Sequence, residues 1–399
     1  MAWELEKNID EIATLLTKHR WFWSSRPFWH DRLLWEETYP EVSEFLRSWT
    51  LEEVECFERA PHLHPKSPRL IQEIAQQCEL LTKIPILYDS SCVLPSKMSY
   101  HIKERKWLQI KHLLSVMSPS HNAMVDWCCG KGHLGRTLAT KFCVPVHGLE
   151  IDSALVEAGK ELSSCQKLHH FSICDVEKQD KIPNLKGTMV ALHSCGDLLE
   201  CAIEQYIEQD MEFGYFVSCC YHRTSSEKRQ NLSAYCSQYD LKLDAFELRI
   251  PSTFEFSASA KSKKRRRREM EYRVSFDLLL RDLTDKNEYQ QFLSVPDSWK
   301  DDSFENFVQN IAKRESIAIS RRIDFNEYLV KGKDKLRQIR GLSSLRSLFS
   351  RLIELWVVGD RALYMQERLA QKNNGAAKKV QIGLFAPESV TPRNIVIVI

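Results

Sequence analysis

The stretch Met124–Ala139, MVDWCCGKGHLGRTLA, decides how the chain is read. A short apolar run closes on Asp126, and Gly130, Gly132 and Gly135 then lead into a helical pattern over Leu134–Ala139. Glycines at this spacing permit a tight strand-to-helix turn and let a ligand approach backbone that carries no Cβ. Alone, G-x-G-x-x-G is a weak signal, because dinucleotide-binding proteins share it.

Two acids further along sharpen the reading. The run VPVHGLEID reaches Glu150, where a carboxylate can accept hydrogen bonds from both ribose hydroxyls of a nucleoside. The run FSICDVE then sets Asp175 where a short acid can meet an adenine amino group. Glycine loop, acid, acid, each at a strand end, is the order expected of class I methyltransferases. NAD enzymes share the first two elements and seldom the third. The expected cofactor is S-adenosyl-L-methionine, a sulfonium cation that also carries a carboxylate and an ammonium group. Asp126 is placed to take the ammonium, and backbone N–H groups around Gly130–Gly132 can take polar oxygens. A dinucleotide oxidoreductase and a catalytically silent binding module are the alternatives.

Outward from this loop, β-type runs at Ala123–Trp127, Pro145–Glu150, His169–Cys174, Gly187–His193 and Tyr215–Cys220 alternate with helical segments. That alternation implies βαβ units and a parallel sheet covered on both faces. Leu241–Ile250 and Tyr272–Leu280 also read as strands. Residues 1–95 read as a helical, tryptophan-rich domain in which Trp21, Trp23, Trp29 and Trp35 are interleaved with Arg20, Arg26, His30 and Arg32. These aromatics read first as core and second as a basic, stacking surface. The segment SASAKSKKRRRREME holds Lys261, Lys263, Lys264 and Arg265 to Arg268, a self-repelling block expected to be exposed and mobile. The ending RNIVIVI would be an aggregation hazard unless paired, so Ile395–Ile399 is expected as a buried final strand. The expected fold is thus α/β: a Rossmann-like class I methyltransferase sheet, an N-terminal helical domain and a helical insertion before the last strand. In residue numbers these are 1–95 helical, 96–300 methyltransferase with a basic loop at 259–269, 301–390 insertion, and 391–399 final strand.

Composition is ordinary for a globular chain: 399 residues, 43% hydrophobic, 28% charged and a formal net charge of +2. No uncharged apolar run is long enough to cross a bilayer, so no membrane partner is expected. The N-terminus MAWELEKNIDEIATLL has no signal-peptide core. The 13 cysteines are therefore read as reduced thiols in a cytoplasmic protein.

At ALHSCGDLLECAI and FVSCCYHR the chain resembles the class I methyltransferase subgroup with a His-x-Cys-Gly motif after the fourth strand. That subgroup carries a Cys-Cys-Tyr/His-His motif after the fifth. It includes eukaryotic tRNA 2′-O-methyltransferases and proteins named for a ribosomal-RNA-adenine-dimethylase-like domain. The ending, LFAPESVTPRNIVIVI preceded by LIELWVVGDRALYMQERL, is similar to that second group, and the resemblance spans roughly Met98 to Ile399. It implies an RNA substrate, tRNA or rRNA. Here the glycine motif reads CCGKGHLGR, its two leading cysteines departing from the small residues usual there.

Strands 1, 4 and 5 of such a sheet are neighbours, so Cys128, Cys129, Cys195, Cys219, Cys220, His193 and His222 are expected to converge near the cofactor. Three readings compete: small buried packing thiols, a metal site, and a cysteine nucleophile at Cys195 or Cys220. Adjacent cysteines are poorer zinc spacing than C-x-x-C, and no metal is expected. Asp197 is the first candidate base and His193 the second, with helix capping the structural alternative for Asp197. No Asn/Asp-Pro-Pro-Tyr/Phe loop is present, which speaks against methylation of an exocyclic adenine amine. RNA as partner also fits the basic block and the basic helix of Lys103, Arg105, Lys106 and Lys111. A protein or small-molecule acceptor and a non-catalytic sensor are the other readings, and no obligatory protein partner is inferred.

Overall fold

The computed structural model describes residues 3–59, 67–118, 122–178, 182, 186–253, 260–284, 289, 294–319, 322–372 and 378–399. Its contacts divide the chain into two compact units. The first comprises Met1–Lys18, Leu80–Phe254 and Ser350–Ile399; the second comprises His19–Glu79 and Glu255–Phe349.

The first unit is built on strands β1 (Met124–Trp127), β2 (Val146–Glu150), β3 (His169–Ile173), β4 (Thr188–Leu192) and β5 (Phe213–Val217). Two short strands, β6 (Lys228–Arg229) and β7 (Leu243–Asp244), pair with each other, and β8 (Gln381–Leu384) and β9 (Ile395–Val398) come last. The sheet runs β3-β2-β1-β4-β5-β9-β8. Its first five strands are parallel, and β9 lies antiparallel between β5 and β8. The aliphatic ending is thereby paired on both sides, and Ile395, Val396 and Ile397 are buried. Every residue of β1 and β4 is buried, as expected of parallel strands with both faces covered. The helix Glu104–Val116 contributes Ile110, Leu113 and Leu114 to the core, and His133–Phe142 contributes Leu134 and Leu138.

Two stretches expected in the N-terminal domain group with this first unit. Ile86 bridges to Leu384 in β8, with Leu384 N–H donating to Pro85 C=O at 2.8 Å. In the helix Phe325–Lys372, a Cβ at Gly359 would stand 2.1 Å from Ile9, so the helix Leu5–Lys18 is packed against backbone there. A boundary at residue 95 therefore does not coincide with the division by contacts.

Among the described residues the regular elements of the second unit are all helices. Trp23 and Trp35 are core side chains, whereas Trp21 and Trp29 are 59% and 39% exposed. Tyr272–Leu280, expected as a strand, lies inside the helix Ala260–Thr284. Tyr272, Phe276, Leu279 and Leu280 fall at helical spacing and pack with Phe304, Phe307 and Ile311. The basic segment expected as a mobile loop begins that same helix. Arg265 is paired with Asp301 and Asp297, and Arg267 with Glu271 one turn on, so neighbouring acids offset the repulsion. Residues 257–259 of the segment lie outside the described residues. Leu241–Ile250, also expected as a strand, keeps only β7 before a 3₁₀ turn at Glu247–Arg249. There the Glu247 carboxylate accepts from Asp244 N–H and the Asp244 carboxylate accepts from Glu247 N–H, closing a local turn that competes with a strand ladder. Among the described residues no helix is long and apolar enough to cross a membrane.

Candidate active site and the cleft beside it

Beyond β1 the chain turns through Cys128, Gly130 and Gly132, all at positive φ (56°, 57° and 64°), into the helix His133–Phe142. The three glycines divide by what stands over them. A Cβ at Gly132 would meet His169 at 2.4 Å and Phe171 at 2.5 Å, and one at Gly135 would meet His169 at 2.4 Å. These two are packing glycines, against which β3 lays its side chains. Over Gly130 nothing lies within 4 Å, so this is the position with room for a ligand against the backbone.

Two carboxylates hold the turn. Asp126 is buried in β1 and its Oδ2 accepts from Gly135 N–H at 2.8 Å, at the start of the helix, where a negative charge is favoured. Burial pushes its carboxyl up to about 7, against the opposing pull of Lys106 and the Gly135 amide. Burial likewise lowers the Lys106 ammonium, which Asp126 and Cys219 draw back up. Glu150, at the end of β2, accepts from Gly130 N–H (2.9 Å) through Oε2, and from Ile151 N–H (2.9 Å) and Asp152 N–H (3.1 Å) through Oε1. A carboxylate offers about four lone-pair sites, so roughly one remains for a ligand hydroxyl. The structure thus joins Asp126, Gly130, Gly135 and Glu150 in one hydrogen-bonded loop.

Asp175 follows directly on Cys174, whose N–H donates to Glu150 C=O at 2.9 Å, so the ends of β2 and β3 are adjacent. Its carboxylate pairs with Lys178 at 2.9 Å, and that hydrogen bond holds its carboxyl below the usual range. The lysine side chain is 73% exposed, so a ligand can displace the pair at small cost.

The two candidate bases differ. Asp197 is the first residue of the helix Asp197–Glu208, whose N-cap is Gly196. Its Oδ2 accepts from both Ser225 N–H (2.7 Å) and Ser225 Oγ (2.9 Å), so it clasps the loop after β5. His193 stands at φ 68° just past the end of β4, its Nε2 3.0 Å from Gln109 Oε1. An amide oxygen only accepts, so the ring proton is on Nε2, and Nδ1 is buried without a hydrogen-bond partner. Burial, with Lys106, Arg393 and Arg105 adding to it, lowers the imidazole to about 3.

Of the expected cysteine and histidine convergence, the structure delivers part. Cys195 Sγ lies 3.0 Å from Cys219 Sγ, and Cys219 Sγ lies 3.6 Å from Cys220 Sγ. The hydrogen bond from the Cys219 thiol, with help from Cys220 and Arg223, lowers Cys195 to about 6, while donating that bond keeps Cys219 protonated. Cys128 instead reaches Ser194, with its thiol pushed up to about 12 by burial. Cys129 packs on Gly148, where a Cβ would stand 2.7 Å from its sulfur. His222 is half-buried with its Nδ1 unpartnered.

Beside the glycine loop lies a cleft of about 440 Å³ lined by His101, Lys103, Lys106, Lys131, His133 and Leu162. Among the described residues no carboxylate lines it. Lys106 connects this cleft to the loop, because its charge acts on Asp126, His193 and Cys219 together.

Four contributors were not found from sequence. Lys106 was read only as part of a basic helix for RNA, although it sits one turn from the buried Gln109 and Ile110. Gln109 itself, His169 against the glycines, and Arg361 carry no sequence motif. Arg361 Nη2 donates to Gly196 C=O (3.0 Å) and to Glu200 (3.0 Å), anchoring the loop that carries Cys195.

Residues 105–227 match the model of a family described as a methyltransferase domain. No curated protein matches the chain. Among solved structures it is similar to a geranyl diphosphate methyltransferase in complex with GPP and sinefungin (11% identity, 45% of this chain and 65% of that one, TM-score 0.26). It is also similar to P. horikoshii TYW2 in complex with MeSAdo (11%, 45% and 79%, 0.23). A third is a coclaurine N-methyltransferase bound to N-methylheliamine and SAH (10%, 87% and 90%, 0.25). The chain spans just under two thirds of the first of these, and at such scores none bears on its substrate. The matched segment contains the glycine loop and all five parallel strands of the sheet, and the cofactor that goes with it is S-adenosyl-L-methionine. The residues present fit that donor: space over Gly130, one accepting site left on Glu150, and a displaceable pair at Asp175.

Proposed function

We propose that this protein methylates RNA, tRNA or rRNA, with S-adenosyl-L-methionine as donor. The observation that carries the RNA assignment is the cationic cleft against the glycine loop, in which Lys103, Lys106 and Lys131 converge without an acid among the described lining residues. Such a cleft neutralises phosphates independently of sequence and brings the polymer to the strand ends where the cofactor sits. When bound, the sulfonium supplies an electrophilic methyl group. The chain's part is to position and to receive a proton. Gly130 leaves room at the backbone, Glu150 fixes the loop and offers its remaining lone pair, and Asp126 holds the start of the following helix through the Gly135 amide. For an acceptor that sheds a proton, Asp197 is the better receiver: Ser225 holds it through Oδ2 and leaves Oδ1 for the role, whereas burial covers His193 Nδ1 and lowers that imidazole to about 3.

The experiment is RNA binding as a function of salt for wild type and a Lys103→Glu/Lys131→Glu variant. The proposal expects weaker binding and a salt slope reduced by roughly one to two. An unchanged slope would remove the cleft from RNA binding. A second reading, a small-molecule acceptor, is favoured by the cleft's size, which lies within the range of roughly 300–1,000 Å³ usual for such ligands. It predicts transfer to a small acceptor with no effect of added RNA.

A further inference from the structure

Cys195, Cys219 and Cys220 bring their sulfur atoms within 4.8 Å of one another at the carboxyl ends of β4 and β5. Among the described residues this is the group of three metal-ligating side chains that forms. We propose that these three thiols bind a zinc ion, with a fourth position left for water or an exogenous ligand.

The geometry carries the inference. Thiolates about 2.3 Å from a tetrahedral zinc stand about 3.8 Å apart. The Cys219–Cys220 separation is 3.6 Å, and the Cys195–Cys219 separation of 3.0 Å needs to open by less than about 1 Å. Cys195, Cys219 and Cys220 are each partly open, as Cys128 and Cys129 are, whereas Cys78, Cys174 and Cys236 are buried in the core; the mutual approach of the three sulfurs sets them apart from the other thiols. Soft thiolate ligands select zinc over magnesium or calcium. Three protein ligands with an open fourth position is the ligand count of catalytic zinc, whereas structural sites are closed by four. Lys106, whose charge acts on Cys219, and Arg223, whose charge acts on Cys195 and Cys220, offset the negative charge of three thiolates on a divalent ion. Adjacency of Cys219 and Cys220 had argued against such a site in the sequence. The turn after β5 answers that objection by setting both sulfurs on the same side as Cys195.

The test is metal analysis of the full-length protein, expressed with zinc supplied and purified without chelator. The proposal expects about one zinc per chain, falling at least tenfold in Cys195→Ala and Cys219→Ala. Because those variants can lose their fold, thiol counting on the unaltered protein accompanies them. Chelation should expose three additional thiols to an alkylating reagent. Zinc-free protein that also fails to take up added zinc would overturn the proposal. So would a thiol count unchanged by chelation, zinc retained in both folded variants, or a Cys195–Cys219 disulfide in protein purified under reducing conditions.

Discussion

The amide of Gly130 donates to the carboxylate of Glu150 across 2.9 Å, joining the end of β2 to the turn that follows β1. Two further amides, those of Ile151 and Asp152, fix the same carboxylate. Glu150 therefore shapes the loop in addition to facing a ligand. Glu150→Ala removes an ionised acceptor from three amides, and bonds to charged groups are worth about 1.5–3 kcal/mol each. Calorimetric titration should show S-adenosyl-L-methionine bound ten- to a hundredfold more weakly. Unchanged affinity would mean that Glu150 only braces the turn.

The three glycines should separate by experiment. Gly135→Ala puts a Cβ 2.4 Å from the His169 ring and should cost several kcal/mol of stability, read as a lowered denaturant midpoint. Gly130→Ala meets no atom within 4 Å and carries only the strain of φ 57°, about 1–2 kcal/mol. It should fold and lose cofactor binding. Gly130→Ala with full affinity would show that the ligand does not approach there.

Arg361 is 1% exposed and bonded to Gly196 and Glu200, while Arg229 is paired with Glu200 and Asp360. Removing one member of a buried ionic network leaves partners unpaired and costs about 3–5 kcal/mol. Arg361→Met should lower the unfolding free energy by that order. A loss below about 1 kcal/mol would mean that the loop of Cys195 is held by other contacts.

Histidine burial sets a pH dependence. Burial lowers His169 and His133 to about 4, so both are neutral in the folded protein while the unfolded chain protonates them below about 6.5. Their contribution is complete above about pH 6.5 and is lost as pH falls towards 4, up to about 3 kcal/mol for His169. Asp126, raised to about 7, acts in the opposite sense between about pH 4 and 7. The clean readout is therefore a difference: His169→Gln should flatten the loss of stability between pH 7 and 5 relative to wild type. Parallel pH profiles would contradict it.

The parallel core of the sheet was legible because short strand-type runs alternate with helical segments, and the apolar runs of β1 and β4 are signals local to the strand. Burial of Ile395–Val398 was legible because an unpaired aliphatic end is costly. The helix Ala260–Thr284 was misread because its charge block was weighed alone; the acids that offset it, Asp297 and Asp301, are about thirty residues away. Strand β8 was missed because Gln381–Leu384 is only four residues long and gains its identity from pairing with β9. At the site, the loop residues were legible and their partners were not. Lys106, Gln109, His169 and Arg361 act through distance in space, which no local pattern encodes.

Transfer of a labelled methyl group from S-adenosyl-L-methionine into total RNA from cells lacking the gene, with cell protein as the parallel acceptor, tests the central claim most directly. The account predicts label in RNA that ribonuclease releases, abolished in Gly130→Ala and reduced at least tenfold in Lys103→Glu/Lys131→Glu. Label in protein, or in neither fraction while the cofactor still binds, would contradict it.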